Sequence, residues 1–364
     1  MFVEREDGIE NLFVDISNRS TMPFQVFVGP RGDGKTFSSL RAQTMDKVGE
    51  SNDDWKLKEN FDDKFIYLRR RQQDIQIATS ETANPFKGIN MKYGTCINPK
   101  YSSREKFSRF YSLDSFGNRT CCGYGMALST FHGLRSVNFE DVAHIVFDEF
   151  ISEKIALKMK AEGETLFNLY ETVNRNRELF GKPPVRLTLI ANAVDLASDI
   201  LMSLKIVSTI AHMIDKGQAR YTDKSRGIYI ELLGDPRFRE AKAETALYKL
   251  TADSEFAKFA LDNEFIDNDR SNVRKVDLNE YIPMVTYAGM YTLYSHKSQP
   301  YLYCAEKNPD SGQHRFNRST LEMFRAYYKK FYNQNTVFNR ISFDSYATKV
   351  ALDSIINEMK YRRN

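Results

Sequence analysis

The sequence predicts an α/β fold with a mainly parallel sheet, and three observations support it. Short apolar segments with strand character lie at residues 24–28, 65–68, 143–147 and 186–191. Helical patterns alternate with them, starting near residue 35 and again near residue 70. At 364 residues the chain exceeds the usual length of one domain, so we expect a second one. Strands that alternate with helices form parallel sheets with helices on both faces.

The composition is that of a globular protein, since 41% of the residues are hydrophobic and 27% are charged. A formal net charge of +4 neither requires nor excludes a nucleic-acid partner. The four cysteines lack the spacing of metal ligands, so reduced thiols are the simplest interpretation. The N-terminal segment does not resemble a signal peptide, and no apolar run reaches the roughly 20 residues that span a bilayer. We therefore expect a soluble protein without a membrane partner.

The sequence pattern changes after about residue 230. Residues 237–262 are charged, alanine-rich and helical in period, which predicts a small helical lid or linker. Beyond them, three apolar segments indicate a meander of strands, and two amphipathic helices follow, at residues 281–287, 290–295, 301–305, 320–332 and 342–361. We divide the chain accordingly into a first domain at 1–238, a helical linker at 239–268 and a C-terminal α/β domain at 269–364.

The strongest motif follows the first predicted strand. It matches the phosphate-binding pattern G-x-x-x-x-G-K-[ST] completely, with Gly29, Pro30, Arg31, Gly32, Asp33, Gly34, Lys35 and Thr36. The glycines let backbone N–H groups turn towards a β-phosphate at the start of a helix. Lys35 is predicted to bridge β- and γ-phosphate oxygens, Thr36 to bind Mg²⁺, and Arg31 to add a second cation. The motif predicts a P-loop with ATP and Mg²⁺ as cofactors.

Two carboxylates follow the apolar segment at 143–147. Asp148 is predicted to hold Mg²⁺ through its water shell, and Glu149 to orient or deprotonate the attacking water. A turn or a helix N-cap is the alternative interpretation. A kinase for small molecules does not need the second carboxylate, whereas a motor ATPase does. The pair, together with its long separation from Thr36, predicts a P-loop NTPase of the RecA-like ASCE division, named for an additional strand and a catalytic glutamate.

Several other polar residues are candidates to complete this site. Asn192 follows the fourth predicted strand, where a sensor of the γ-phosphate is expected, although a turn residue is the alternative. Arg175 and Arg177 close a helical segment at 166–178. They are either a solvated helix end or the source of the arginine that ring ATPases place on a neighbour's phosphate. The basic run at 69–71 is either a nucleotide or DNA contact or a solvated turn.

Five segments together resemble one known family, the DNA-encapsidation ATPases of small tailed phages with protein-primed linear genomes (phi29-like packaging motors). The segments are FIYLRR at 65–70, IVFDEF at 145–150, TVNRNRE at 172–178, NAV at 192–194 and LDNEFI at 261–266. They occur in the same order as in the family and extend through most of the chain. This agreement is far more specific than a P-loop alone.

The resemblance implies a homopentameric ring at the portal vertex of an empty prohead. It implies a C-terminal domain of RNase H-like fold, similar to the nuclease of large terminases but without cutting activity. Arg175 falls on the family's trans-acting arginine finger, which makes it a catalytic candidate beside Lys35 and Glu149. The implied partners are the prohead with its portal, double-stranded DNA, the genome terminal protein and, in some members, a structural packaging RNA. The implied location is the host cytoplasm, transiently on the prohead and not in the mature virion.

The resulting hypothesis is an ATP-driven translocase of double-stranded DNA that packages a viral genome into a preformed prohead. The alternatives are a ring helicase, a large terminase with an active nuclease, or a nucleotide-dependent scaffold. The predicted C-terminal strands carry no acidic residue apart from the boundary residues Glu280 and Glu306, and Asp344 and Asp353 have no evident partners. A two-metal nuclease needs clustered carboxylates, so the sequence disfavours a working terminase nuclease. Glu149 disfavours a scaffold, because a scaffold needs no activated water.

Overall fold

A computed structural model of the protein describes residues 13–49, 54–80, 82–134, 138–151, 161–192, 198–252, 254, 272–287, 291–306, 314–316 and 320–357. The chain divides into two compact units, which are described separately below. The first combines residues 1–195 with 217–266, and the second combines 196–216 with 267–364. Residues 196–216 thus group with the second unit, whereas the predicted boundary at 238 would leave them in the first.

The strands of the first unit are β1 (Phe24–Gly29), β2 (Met45–Lys47), β3 (Trp55–Leu57), β4 (Lys64–Arg69), β5 (Ile97–Ser102), β6 (Phe107–Leu113), β7 (Arg119–Ala127), β8 (Val142–Asp148), β9 (Arg186–Asn192), β10 (Arg220–Asp223) and β11 (Ile228–Leu232). All but β2 and β3 join one sheet in the order β10-β11-β1-β9-β8-β4-β7-β6-β5. Strands β11, β1, β9, β8, β4 and β7 run parallel to one another. The sheet is therefore mainly parallel, which confirms that part of the prediction.

The antiparallel edges of this sheet were not predicted. Strand β10 pairs with β11 on one side, and β5 and β6 extend the sheet beyond β7 on the other. The central and edge strands differ in burial. The central strands are buried along almost their whole length, whereas β6 alternates between buried and half-buried residues. Gly123 allows the close approach of β7 to β4, since a Cβ there would lie 2.5 Å from the ring of Phe65.

The α-helices of the chain are α1 (Lys35–Thr44), α2 (Gln72–Ala78), α3 (Lys87–Tyr93), α4 (Glu162–Asn174), α5 (Asp199–Ser203), α6 (Val207–Asp215), α7 (Pro236–Ala243), α8 (Ala246–Leu250), α9 (Leu321–Val337) and α10 (Tyr346–Asn357). Helices α5, α6, α9 and α10 belong to the second unit. Among the described residues, no helix is both long enough and apolar enough to cross a membrane. The predicted linker helix corresponds to α7 and α8 up to residue 250, and its continuation to 262 lies outside the described residues.

The second unit contains strands β12 (Tyr281–Tyr287), β13 (Tyr291–His296), β14 (Leu302–Ala305), β15 (His314–Phe316) and β16 (Ile341–Phe343). They form a mixed sheet in the order β15-β12-β13-β14-β16, in which the predicted antiparallel meander β12-β13-β14 is flanked by two parallel strands. Helix α6 packs against α10 in this unit. The prediction of a helix from residue 342 is wrong at its start, because residues of β16 are buried and pair with β14, so that α10 begins only at Tyr346.

Candidate nucleotide-binding site

The predicted site residues meet at the carboxyl end of the parallel strands. Strand β9 lies between β1 and β8, and its end pairs Asn192 with Gly29 and Ile190 with Asp148. A cavity of about 520 Å³ opens there. The predicted residues that line it are Arg31, Gly32, Asp33, Gly34, Lys35, Thr36, Asp148, Glu149 and Asn192. Arg175 is not among the lining residues.

The loop between β1 and α1 has the backbone that a phosphate cradle needs. Gly32 and Gly34 have φ angles of 84° and 94°, in the left-handed region that favours glycine. Gly34 caps α1 and accepts a hydrogen bond from the backbone of Ser38 at 2.9 Å. A Cβ at Gly29, at the end of β1, would lie 2.7 Å from the Cβ of Leu233. The glycines of the motif are therefore required by the conformation, and α1 begins with its N-terminus at the cavity.

Lys35 is buried within the loop, with 5% of its surface exposed. Its Nζ donates to the carbonyl oxygen of Pro30 at 2.6 Å and to Oδ1 of Asp33 at 2.8 Å. Burial lowers the pKa of Lys35, while the charges of Asp33 and Asp148 oppose that shift. The ammonium group thus lies at the cavity with an acidic partner from its own loop.

Thr36 and Asp148, the two predicted Mg²⁺ ligands, are in direct contact. The Thr36 Oγ1 donates to Asp148 Oδ1 at 3.1 Å, and Asp148 Oδ2 accepts from the Tyr67 hydroxyl at 2.9 Å. A hydroxyl and a carboxylate side by side are the hard oxygen donors that Mg²⁺ prefers, so these residues fit the ion. Among the described residues, no group of three or more acidic, histidine or cysteine side chains is placed to hold a metal.

Glu149 follows β8 in a strained conformation. Its φ of 55° lies in the left-handed region, which costs a non-glycine residue about 1–2 kcal/mol. Its side chain is 57% exposed, and its Oε2 accepts from Arg69 Nη2 at 2.6 Å. Arg69 Nη1 also donates to Asp148 Oδ2 at 3.0 Å. Arg69 therefore bridges the two carboxylates at the cavity.

The basic run at 69–71 divides into residues with different environments. Arg70 is buried, pairs with Glu162 of α4 and donates from Nη2 to the carbonyl oxygen of Phe150 at 2.6 Å. Neither predicted role, a nucleotide or DNA contact or a solvated turn, fits Arg70. Tyr67 was not assigned to the site from the sequence, and Arg69 was considered only as part of the basic run, with a nucleotide or DNA contact and a solvated turn as its alternatives. The signal that points to them is the alternation of β4, which puts both residues on one face of the strand.

The end of α4 differs from the prediction of a helix extending to residue 178. The helix ends at Asn174, whose buried side chain accepts from the backbone of Val185 at 2.8 Å and donates to Glu178 at 3.1 Å. Arg175 is the C-cap, with a φ of 45°. Its side chain is 43% exposed and lies 3.2 Å from Oε1 of Glu140. Arg177 instead donates to the carbonyl oxygen of Val142 at 3.0 Å, which ties this turn to the start of β8.

The linker segment contributes a cation to the loop. Helix α7 is capped by Asp235, and Lys242 near its end donates from Nζ to the carbonyl oxygen of Arg31. The ammonium group also lies over the rings of Phe238 and Tyr248, at 5.5 and 5.2 Å from their centroids. Sequence reasoning missed Lys242, because no local motif relates it to a loop more than 200 residues earlier.

Comparisons with known proteins point to one family. The family model of the podovirus DNA encapsidation protein (Gp16) matches residues 17–336. The DNA packaging protein of Bacillus phage phi29 is 27% identical over 249 residues, which cover 68% of this chain and 64% of that protein. The corresponding protein of Bacillus phage B103 is 26% identical over 267 residues, or 72% of this chain and 71% of that protein. The alignment thus covers less than two thirds of the phi29 protein.

Solved structures extend the similarity of fold over almost the whole chain. A chain of the bacteriophage phi29 viral genome packaging motor assembly matches with a TM-score of 0.60 and 20% identity, covering 95% of this chain and 98% of that one. A chain of the phi28 gp11 DNA packaging motor matches with a TM-score of 0.60 and 18% identity, covering 93% and 95%. Because the family model spans most of the sequence, the chain belongs to the podovirus DNA encapsidation protein (Gp16) family.

Proposed function

We propose that the chain is an ATP-driven translocase that packages viral double-stranded DNA into a preformed prohead. The observation that carries the proposal is the meeting of Lys35, Thr36, Asp148 and Glu149 at one cavity in a member of a DNA encapsidation family. The strand β9 between β1 and β8 supports the RecA-like ASCE division of P-loop ATPases, because that division is named for such an additional strand.

The residues of the loop account for nucleotide binding. Backbone N–H groups around Gly32 and Gly34, the N-terminus of α1 and the Lys35 ammonium group present positive charge to the β- and γ-phosphates. Asn192 lies at the end of β9 and contacts the same cavity, which supports a role in sensing the γ-phosphate. Thr36 and Asp148 would hold Mg²⁺, which when bound neutralises charge on the phosphate oxygens.

Glu149 is the residue that makes hydrolysis the favoured reaction. Its carboxylate is exposed at the cavity and can orient a water molecule and accept a proton from it. Arg69 donates to Oε2 of this carboxylate, so Oε1 can accept from water while the contact with Arg69 is kept.

The position of Arg175 supports a ring of subunits in which this arginine acts on a neighbour. Its side chain does not line the cavity of its own subunit, it is half-exposed, and its partner Glu140 is itself 67% exposed. A surface ion pair of this kind is worth at most about 1 kcal/mol, so the guanidinium can exchange Glu140 for a phosphate of a neighbouring subunit at little cost. We propose a homopentameric ring on the prohead portal in the host cytoplasm, absent from the mature virion. The terminal protein of the genome and a packaging RNA are further proposed partners.

The C-terminal unit is proposed to have an RNase H-like fold without nuclease activity. The Asp344 Oδ2 accepts a hydrogen bond from the backbone of Glu306 at 2.8 Å, and Asp353 accepts one from Tyr332. Each aspartate thus has a hydrogen-bond partner. Their contacts nevertheless involve a backbone amide and a phenol, whereas a two-metal site needs several carboxylates around ions about 3.5–4 Å apart.

The proposal is tested by packaging in vitro. The full-length protein, proheads, ATP and Mg²⁺ are mixed with the linear genome, and DNA protected from added nuclease is measured. We expect protected DNA with the parent protein, none with Lys35→Ala, and ATPase activity that rises when proheads and double-stranded DNA are both present. A protein that hydrolyses ATP at the same rate with or without them, and protects no DNA, is not a packaging translocase. A protein that binds ATP without hydrolysing it under any of these conditions is a scaffold.

A further inference from the structure

Asp33 is an acidic side chain inside the phosphate-binding loop, at a position that the P-loop pattern leaves open. Its Oδ1 accepts from the Lys35 ammonium group at 2.8 Å and from the Lys35 backbone N–H at 3.3 Å. Asp33 and Lys35 are each only 5% exposed. The carboxylate therefore engages the ammonium group and one of the backbone amides that a P-loop presents to phosphate oxygens.

The surroundings of Asp33 do not stabilise its charge fully. Its Oδ2 is buried without a hydrogen-bond partner, close to where Gly29 leaves room. Burial raises the pKa of Asp33, and the charges of Lys35 and Lys242 oppose that shift. A buried carboxylate oxygen without a hydrogen-bond partner is energetically unfavourable, so the loop maintains a destabilising group next to its phosphate-binding cation.

We propose that Asp33 sets the nucleotide affinity of this site, because its carboxylate competes with the triphosphate for Lys35. This inference rests on the proposed function, since it concerns the same nucleotide. A phosphate that binds Lys35 must displace Asp33 or share the ammonium group with a second anion at close range. Like charges a few ångströms apart in a partly buried site repel strongly, so the carboxylate weakens binding of ATP and ADP alike. Weaker binding speeds release of the product, which a motor that repeats its cycle requires.

A role of Asp33 in positioning Lys35 and a role in competing with phosphate predict opposite changes in nucleotide affinity. If Asp33 served only to hold Lys35 in place for phosphate, removing its charge would loosen Lys35 and weaken nucleotide binding. If it competes, removing its charge strengthens binding. Asp33→Asn preserves the size of the side chain and its acceptor oxygen, and Asp33→Ala removes both, so a common effect of the two identifies the charge as the cause.

The matched control is Asp141→Asn. Asp141 also pairs with a lysine, Lys64, at 2.8 Å, but it does not line the cavity. The control therefore breaks a carboxylate–lysine pair without releasing Lys35. Dissociation constants for ATP and for inorganic tripolyphosphate are measured by calorimetry on the full-length proteins with Mg²⁺. The phosphate-only probe tests whether the effect arises at the phosphates rather than at the base.

We expect Asp33→Asn and Asp33→Ala to bind both probes at least about tenfold more tightly than the parent, and Asp141→Asn to change each by less than about threefold. Unchanged or weaker binding in the Asp33 variants overturns the inference, as does an equal gain in Asp141→Asn. If one Asp33 variant fails to fold, the other decides. If the parent protein binds neither probe, the proposed function fails as well; if it binds both and the Asp33 variants bind no more tightly, only the inference fails.

Discussion

The most direct chemical test of the site replaces Glu149 with glutamine. The glutamine keeps the side-chain volume and an oxygen that accepts from Arg69, but it cannot take a proton from water. Because the Glu149 side chain is 57% exposed, losing its ion pair with Arg69 should lower the free energy of unfolding by no more than about 1 kcal/mol. The left-handed backbone at residue 149 is unchanged by the substitution. The fold and the cavity should therefore persist.

Turnover, in contrast, should fall by at least about 10², which corresponds to about 2.7 kcal/mol of lost transition-state stabilisation. The assay measures steady-state phosphate release beside the dissociation constant of ATP, which should stay within about threefold of the parent value. Glu105→Gln is the matched control, since Glu105 also pairs with an arginine, Arg109, on the surface between β5 and β6. It should leave turnover unchanged. Turnover of Glu149→Gln within threefold of the parent would remove Glu149 from the proposed role.

Three further predictions concern the ring, stability and the C-terminal unit. Arg175→Ala should spare ATP binding and lower hydrolysis by about 10³ or more; mixing it with Lys35→Ala subunits should restore some activity, and co-assembly without any recovery would contradict a finger that acts in trans. Burial and nearby cations lower the pKa of His144 to about 3, so the contribution of His144 to stability should be constant well above pH 6.5 and fall as the unfolded chain takes up the proton, by about 2 kcal/mol at pH 5. Chemical denaturation of His144→Gln should show a shallower acid dependence than the parent, and parallel curves would refute this. The full-length protein should not nick supercoiled plasmid with Mg²⁺ or Mn²⁺, and nicking that is abolished by Asp344→Asn would show an active nuclease.

Local patterns in the sequence were sufficient for the centre of the first unit. The strands that became β1, β4, β8 and β9 are short apolar runs, and the glycine-rich loop follows the first of them. Parallel strands bring their carboxyl ends to one edge of the sheet. A motif after β1 and a carboxylate pair after β8 are therefore expected to lie close together. The gathering of Lys35, Asp148 and Asn192 at one cavity follows from this rule, whereas the order of the strands was not predicted.

The features that could not be predicted from the sequence depend on contacts between distant residues. Arg69 and Arg70 are neighbours in one basic run, yet Arg69, the last residue of β4, pairs with Asp148, whereas Arg70, just beyond the strand, is buried against Glu162. Lys242 reaches the loop only through the docking of α7. Strand β16 has three residues, too few for a period to be recognised, and its pairing with β14 determines its conformation.

The exact end of α4 could not be predicted from the sequence either. The residues around Arg175 and Arg177 are compatible with a helix, and only the hydrogen bond from the Val185 backbone to Asn174 shows why it stops there. This end places Arg175 on the surface and turns Arg177 to the carbonyl of Val142. A prediction that treated the two arginines as one helix face would therefore have assigned their relation wrongly.

The central claim is that ATP hydrolysis at this cavity moves double-stranded DNA into a prohead. The measurement that tests it most directly follows one DNA molecule held at its free end while motor, prohead, ATP and Mg²⁺ act on the other. We expect the DNA tether to shorten steadily with the parent protein, to stop when ATP is replaced by a non-hydrolysable analogue, and not to shorten with Glu149→Gln. Shortening that continues with Glu149→Gln at the parent rate, or a parent protein that hydrolyses ATP on assembled proheads without shortening the tether, would contradict the claim.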